Sequence, residues 1–260
     1  MGISHSKTKE TIIQFLLSVF ALNIDEQSGS KEFSIAIKKA MKFQQEDDTL
    51  HFRACIDLLE DTELAIISAF TYQLGDIKTQ SDFGGQYLRL YGILNAVSLK
   101  ISALIEIANL INYSERDGLK KRLQSLDIYI LRNIAGSHTV DCNFNYKNDG
   151  SAVTYKETSF RIYQSSMNNF GGCIKVVNKQ GEYLEYNLLS ILTIYEKEVR
   201  DLLIKMAYFS IEKLVIKKEK RVLLKQELSK AIAELIDYEK LDKNKKQLSK
   251  MISKLGFKKQ

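Results

Sequence analysis

Apolar residues recur at three- and four-residue steps along much of this chain, the spacing that places them on one face of an α-helix. Thr8 to Ile24 carries them at Ile12, Ile13, Leu16, Leu17 and Phe20, which predicts a helix closed by the polar cluster Asp25 to Ser30. Lys31 to Phe43 predicts a second, more basic helix. Leu50 to Leu74, with Ile56, Leu59, Ile66, Ile67 and Phe70, predicts a long helix ended by Gly75. After a polar break, Gln86 to Ile111 is almost continuously apolar, and Leu88, Tyr91, Leu94, Val97, Ile101, Leu104, Ile105 and Ala108 keep the helical step. That pattern belongs to a core rather than a cofactor site. Ser114-Glu115-Arg116-Asp117 has the capping-box spacing. The helix it introduces runs through Leu119, Leu123, Leu126, Tyr129, Ile130 and Ile134 to a stop at Gly136.

The period then shortens to two. Phe144 to Tyr146, Val153 to Tyr163 and Ile174 to Tyr186 alternate Val, Tyr, Phe, Thr and Ile, punctuated by Asn148-Asp149-Gly150, Gly171-Gly172 and Asn178 to Gly181. This predicts a small antiparallel sheet of three or four strands. Helical spacing returns at Leu188, with Tyr195, Val199, Leu202, Met206 and Phe209, and runs on toward Leu241. The fold class read from these patterns is mainly α: a helical bundle with a small antiparallel β-sheet insertion and extra N- and C-terminal helices. The chain has no Pro, which leaves long helices unbroken.

Composition adds a bound and an asymmetry. At 260 residues, 45% hydrophobic and 27% charged, the chain is of ordinary globular character and long enough for a sizeable core. It shows no secretory leader and no apolar run of membrane-spanning length, so a soluble cytoplasmic protein is expected. Met1-Gly2-Ile3-Ser4-His5-Ser6 fits the myristoylation pattern, which matters only in a eukaryotic source. Cys55, Cys142 and Cys173 are widely spaced and predict reduced structural thiols. With His5, His51 and His138 as the only histidines, no metal site is indicated. The net charge is +6, yet residues 212–260 hold 15 Lys/Arg against 7 Asp/Glu, leaving 23 against 25 in the rest. Lys217, Lys218, Lys220, Arg221 and Lys225 lie beside Leu223, Leu224, Leu228 and Ile232, as on an amphipathic helix. A basic helix of this kind suits either a phosphate backbone or a solvated face.

One cluster carries chemistry: Leu131-Arg132-Asn133-Ile134-Ala135-Gly136-Ser137-His138-Thr139. Arg presents a planar, permanently charged fork suited to phosphate oxygens. His, with an ordinary pKa of about 6.5, gives or takes a proton near neutral pH. Asn orients either partner. An ideal helix would separate Arg132 from His138 by about 600° of rotation, so Gly136 is expected to act as a C-terminal cap that turns the chain back. Together the three side chains form a minimum set for metal-free attack of a ribose 2′-hydroxyl on the adjacent phosphate. The bland reading of the same residues is an Arg ion pair and a His capping a helix end.

Arg132-Asn133, four residues and then His138 resembles the R-x(4–6)-H motif of the HEPN superfamily, in which a polar residue commonly follows the Arg. The run Gln86-Tyr87-Leu88-Arg89-Leu90-Tyr91-Gly92 also resembles a segment of that group. The resemblance spans roughly residues 45–211. It implies a bundle whose motif follows a pair of long helices, here Leu50 to Leu74 and Gln86 to Ile111. It also implies a metal-independent endoribonuclease without cofactors, of the toxin–antitoxin, abortive-infection or antiviral type. Two protomers would bring their Arg and His residues together. Arg132 would stabilise charge on phosphate, His138 would transfer the proton and Asn133 would position them. Ser137, Thr139, Lys217, Lys218 and Arg221 would contact RNA. Partners implied are RNA, a second copy of the chain and an antitoxin or other regulatory protein, with no membrane. The expected organisation is N-terminal helices over 1–44, a HEPN-like domain over 45–211 with its β insertion at about 141–187, and a basic helical extension over 212–260. The alternative is a non-catalytic HEPN-like dimer that binds RNA or protein.

Overall fold

The computed structural model describes residues 43–45, 47–74, 83–137, 160–168, 173–178, 180–215, 218–230 and 232–233, together with Ile35 and Lys38. These residues are mainly helical, with one small antiparallel sheet. In chain order they form α1 (Asp48–Tyr72), α2 (Phe83–Leu110), α3 (Arg116–Gln124), α4 (Asp127–Ser137), β1 (Arg161–Ile162), a 3-10 turn (Gln164–Asn168), β2 (Cys173–Val177), β3 (Tyr183–Asn187) and α5 (Leu188–Leu214). A further helix, α6, covers 218–230. The helix expected over Thr8 to Ile24, most of that over Lys31 to Phe43, and the strand at Phe144 to Tyr146 lie outside the described residues. So does the acylation pattern at the N-terminus. The chain divides into two compact units, Leu50–Val199 and Met1–Thr49 with Arg200–Gln260.

Within Leu50–Val199, the apolar steps read from the sequence supply part of the core. Of those positions, Ile67, Phe70, Tyr91, Ile105, Leu126, Tyr129 and Ile130 are half-buried. Leu88 is 75% exposed, because it lies off the face that Leu90, Val97 and Leu104 share. Leu59 and Ile66 on α1, Leu90, Val97 and Leu104 on α2, Leu123 on α3, Leu131 on α4 and Leu192 on α5 are buried. Burial of each such side chain stabilises the fold by about 1.5–3 kcal/mol. The sheet order is β1-β2-β3, with Val177 opposite both Arg161 and Tyr183, and with Ile174 and Val176 facing the core. The hairpin turn falls where Asn178 to Gly181 predicts it. Asn178 and Glu182 bond to each other through backbone and side chains, and Gly181 takes φ +82°, a conformation that strains residues bearing a Cβ.

Several helix ends differ from the sequence expectation, each for a local reason. α1 stops before Gly75 because Gln73 adopts the left-handed conformation (φ 52°) while its N–H still reaches Ala69. α2 ends in a Schellman motif: Asn112 (φ 52°) bonds to Asn109, and Tyr113 bonds back to Ala108. The capping box does not form, since the helix begins after Glu115 and no side chain caps it. The single helix expected from Leu119 to Ile134 is two. Ser125 Oγ donates to the Arg122 carbonyl, which offers that oxygen an alternative to the helical ladder. Asp127 then opens α4, favourably placed at the positive end of the helix dipole.

Among the described residues, three charged side chains are buried inside this unit. Lys100 on α2 is 1% exposed, and its ammonium contacts Glu63 Oε2 of α1 and, at 3.4 Å, Glu196 Oε1 of α5, which is 2% exposed. Tyr195 is fully buried beside them, its hydroxyl 3.4 Å from the Val97 carbonyl. Burial, together with the Glu63 charge, holds that phenol well above its ordinary pKa. Among the described residues, Phe83–Leu110 is the one helix long and apolar enough to cross a membrane by length and composition, yet 56% of its most apolar stretch is buried within the protein. Lys100→Met is expected to cost about 3–5 kcal/mol, because it leaves two carboxylates in the core without their cation. The triple change Glu63→Leu/Lys100→Met/Glu196→Leu should be near neutral. Urea unfolding of both variants checks this, and a single-variant loss below about 1 kcal/mol would contradict it.

Candidate functional site

Helix α4 is seated on α2 by Ile128, Leu131, Ile134 and Ala135, all buried. That seating leaves Arg132 and Asn133 half-buried on the flank of the helix and Gly136 exposed. The Arg132 Nη1 group donates to Asn133 Oδ1 at 3.0 Å, so the two motif residues are joined directly. The contact holds the guanidinium fork beside its own helix and consumes a single donor of its five. The arrangement suits an anion presented to the flank of α4.

Gly136 does not turn the chain. Its φ lies outside the left-handed region and the helix continues through Ser137. The physical reason is the neighbouring burial of Ile134 and Ala135, which outweighs the roughly 1 kcal/mol that a helical glycine costs relative to Ala. His138 and Thr139 lie outside the described residues, as does the Ser137 side chain. His51 is described and exposed near the start of α1, where its Nε2 is 3.8 Å from Glu106 Oε2.

The basic segment is folded differently from the expectation of one helix running to Leu241. α5 ends at Leu214, Val215 is not helical, and α6 folds back against α5. Tyr208 and Ser229 share a hydrogen bond of 2.7 Å, and Glu212 pairs with both Lys225 and Arg221. Arg221 also donates through Nε and Nη2 to the Val215 carbonyl at 3.1 and 2.9 Å. It therefore caps the end of α5, a carbonyl that no helical N–H reaches. Leu224 and Leu228 are buried, as amphipathic spacing requires, while Leu223 is exposed. Of the basic residues expected to meet RNA, Lys218 is exposed, Arg221 is engaged within the hairpin and Lys217 lies outside the described residues.

Cys55 is buried, and its thiol is pushed up to about 11 by burial and by the Glu106 charge. Cys173 is half-buried with Sγ 3.8 Å from Glu185, and Cys142 lies outside the described residues. Among the described residues no three His, Cys, Asp or Glu side chains cluster as metal ligands would. Because the folded Cys55 thiol titrates above its unfolded value, the stability it contributes is lost as pH rises from about 9 toward 11. A thiol-reactive disulfide reagent at pH 8 is accordingly expected to leave Cys55 unmodified until the protein unfolds; mass mapping of prompt native labelling at Cys55 would contradict this.

The sequence reading overlooked the buried Glu63, Lys100 and Glu196. A signal was present: each stands at a core step of its helix, in the series 56-59-63-66, 93-97-100-104 and 192-196-199. Charges of opposite sign at core steps on separate helices are the pattern to seek. No family model, no curated protein and no solved structure matches the chain.

Proposed function

We propose that the chain is a metal-independent endoribonuclease of the HEPN type, an effector of antiviral defence or toxin–antitoxin systems, acting as a homodimer on RNA in the cytoplasm. The observation that carries the reading is the joined Arg132–Asn133 pair, half-buried on a helix seated on the long α2, with His138 following in sequence. Arg132 binds the scissile phosphate and stabilises the charge that grows on its oxygens in the transition state. His138 takes the proton from the ribose 2′-hydroxyl or delivers one to the leaving 5′-oxygen. Asn133 holds the guanidinium in place.

Gly136 lies within the helix, so it is not the turn that was expected there. A site made across two protomers does not need that turn, because the Arg of one copy meets the His of the other. Each of the two sites related by the dimer axis then holds the Arg of one copy and the His of the other. Arg221 and Lys225 are committed to Glu212, while Lys218 and Lys220 on the same hairpin are exposed and open to substrate.

Purified protein incubated with total RNA in excess EDTA is expected to cleave it. Arg132→Ala and His138→Ala should each slow cleavage by about 100-fold or more, and Asn133→Ala by about tenfold. Cleavage that survives His138→Ala, or that needs a divalent ion, would overturn the assignment.

A further inference from the structure

The outer face of the small sheet carries two tyrosines that no element of the fold requires to be exposed. Tyr163 is 44% and Tyr183 is 54% exposed, and their rings meet edge to face at 5.8 Å with an interplanar angle of 80°. The register explains how they meet. Arg161, Val177 and Tyr183 lie in one row across β1, β2 and β3, while Tyr163 follows β1 and bonds through its N–H to the Lys175 carbonyl at 2.8 Å. Lys175 in turn is opposite Glu185 and pairs with it. Val177 belongs to this outer row yet is only 5% exposed.

Both tyrosines stand on fixed backbone. Ser166 Oγ donates to the Tyr163 carbonyl and accepts the Lys175 N–H at 2.9 Å, which pins the strand end where Tyr163 leaves the sheet. Tyr183 directly follows the turn closed by the reciprocal Asn178–Glu182 bonds. With the backbone held this way, only the side-chain torsions remain to be ordered when a flat partner stacks on the rings. In the same row as Tyr183 stands Arg161, exposed and without an ion-pair partner among the described residues. Lys175 and Glu185 neutralise each other, so Arg161 is the net positive charge of these rows.

Two exposed aromatic rings and an exposed guanidinium on one sheet face match one ligand chemistry closely: unpaired nucleobases, whose faces stack on tyrosine, joined by a phosphate that the arginine neutralises. We infer that the outer face of β1–β2–β3, through Tyr163, Tyr183 and Arg161, binds single-stranded RNA and presents it to the chain. The inference rests on the reading of RNA as substrate but not on the identity of the cleaving residues.

The test uses full-length His138→Ala protein, so that bound RNA persists, and fluorescence anisotropy of a labelled single-stranded oligoadenylate at several salt concentrations. Adding Tyr163→Leu and Tyr183→Leu keeps apolar side chains at both positions but removes the rings, and should weaken binding by about tenfold or more. The Tyr163→Phe/Tyr183→Phe pair should bind within about twofold of the parent, because the stacking face remains. Arg161→Gln should lower the slope of log affinity against log salt by about 0.7, one phosphate's worth. Binding within twofold of the parent by a leucine variant with unchanged melting temperature would overturn the inference, as would no binding by the parent. Loss of a dimer, rather than of RNA, in the leucine variant would overturn it in favour of a second copy on this face. If the leucine variant does not fold, crosslinks from 4-thiouridine-substituted RNA on the parent decide. Adducts at Tyr163 or Tyr183 support the platform, and adducts only elsewhere contradict it. RNA binding that needs the tyrosines, with no cleavage by the protein carrying His138, retains the platform and removes the nuclease. Cleavage with tyrosine-independent binding does the reverse.

Discussion

A lysine ammonium held between two carboxylates inside a helical core leaves little freedom to the helices that supply it. Moving a single charge from water into such surroundings costs several kcal/mol unless its partners are correctly placed. Lys100 therefore specifies the rotation of α2 relative to Glu63 on α1 and Glu196 on α5 much more sharply than interchangeable leucines would. The nearby Tyr195, fully buried and directed at the Val97 carbonyl, adds a second polar register mark between α5 and α2. α4 packs on the same α2, so the place of Arg132 and Asn133 on the surface follows from where that buried cluster sets its neighbour.

This dependence shapes the proposed chemistry. Arg132 gains a fixed direction from Asn133 and a half-buried setting from α4, and both strengthen its attraction for a phosphate. Regular helix through Ser137 gives the same chain no glycine turn with which to return His138 toward Arg132. On the proposed reading, the His that meets Arg132 comes from a second copy. The basic C-terminal segment, which charge alone would nominate as the RNA surface, spends Arg221 and Lys225 on closing its own hairpin. The sheet that interrupts the bundle offers exposed aromatic rings instead.

Much of this architecture was legible in the order of residues. The steps at Leu59, Ile66, Val97, Leu104, Leu123 and Val199 mark buried faces because a helix repeats every 3.6 residues, and each of these residues is buried. Alternation from Ile174 to Tyr186, with a turn at Asn178 to Gly181, yields the β2–β3 hairpin. The failures share a cause. Ser125, Gln73 and Gly136 act through one backbone conformation or one hydroxyl bond, and tertiary packing decides which of several local options each takes. Glu63, Lys100 and Glu196 were missed because a charge reads as solvent-facing until its partners on distant helices are known. Arg221 misled in the opposite direction: its charge suggested a ligand outside the chain, but the Val215 carbonyl and Glu212 hold it within. Of the candidate site, only the Arg132–Asn133 half falls within the described residues, and there the two side chains do meet.

The central claim is that one chain holds half of a cleavage site and a second copy completes it. Mixing inactive Arg132→Ala protein with inactive His138→Ala protein tests this most directly, because a mixed dimer unites the intact Arg of one copy with the intact His of the other. Return of metal-independent RNA cleavage on mixing, at roughly a quarter of the wild-type rate if subunits exchange at random and one of two sites is rebuilt, is the result expected. A mixture that stays as inactive as its two components, with subunit exchange verified by native mass measurement, would contradict the shared site.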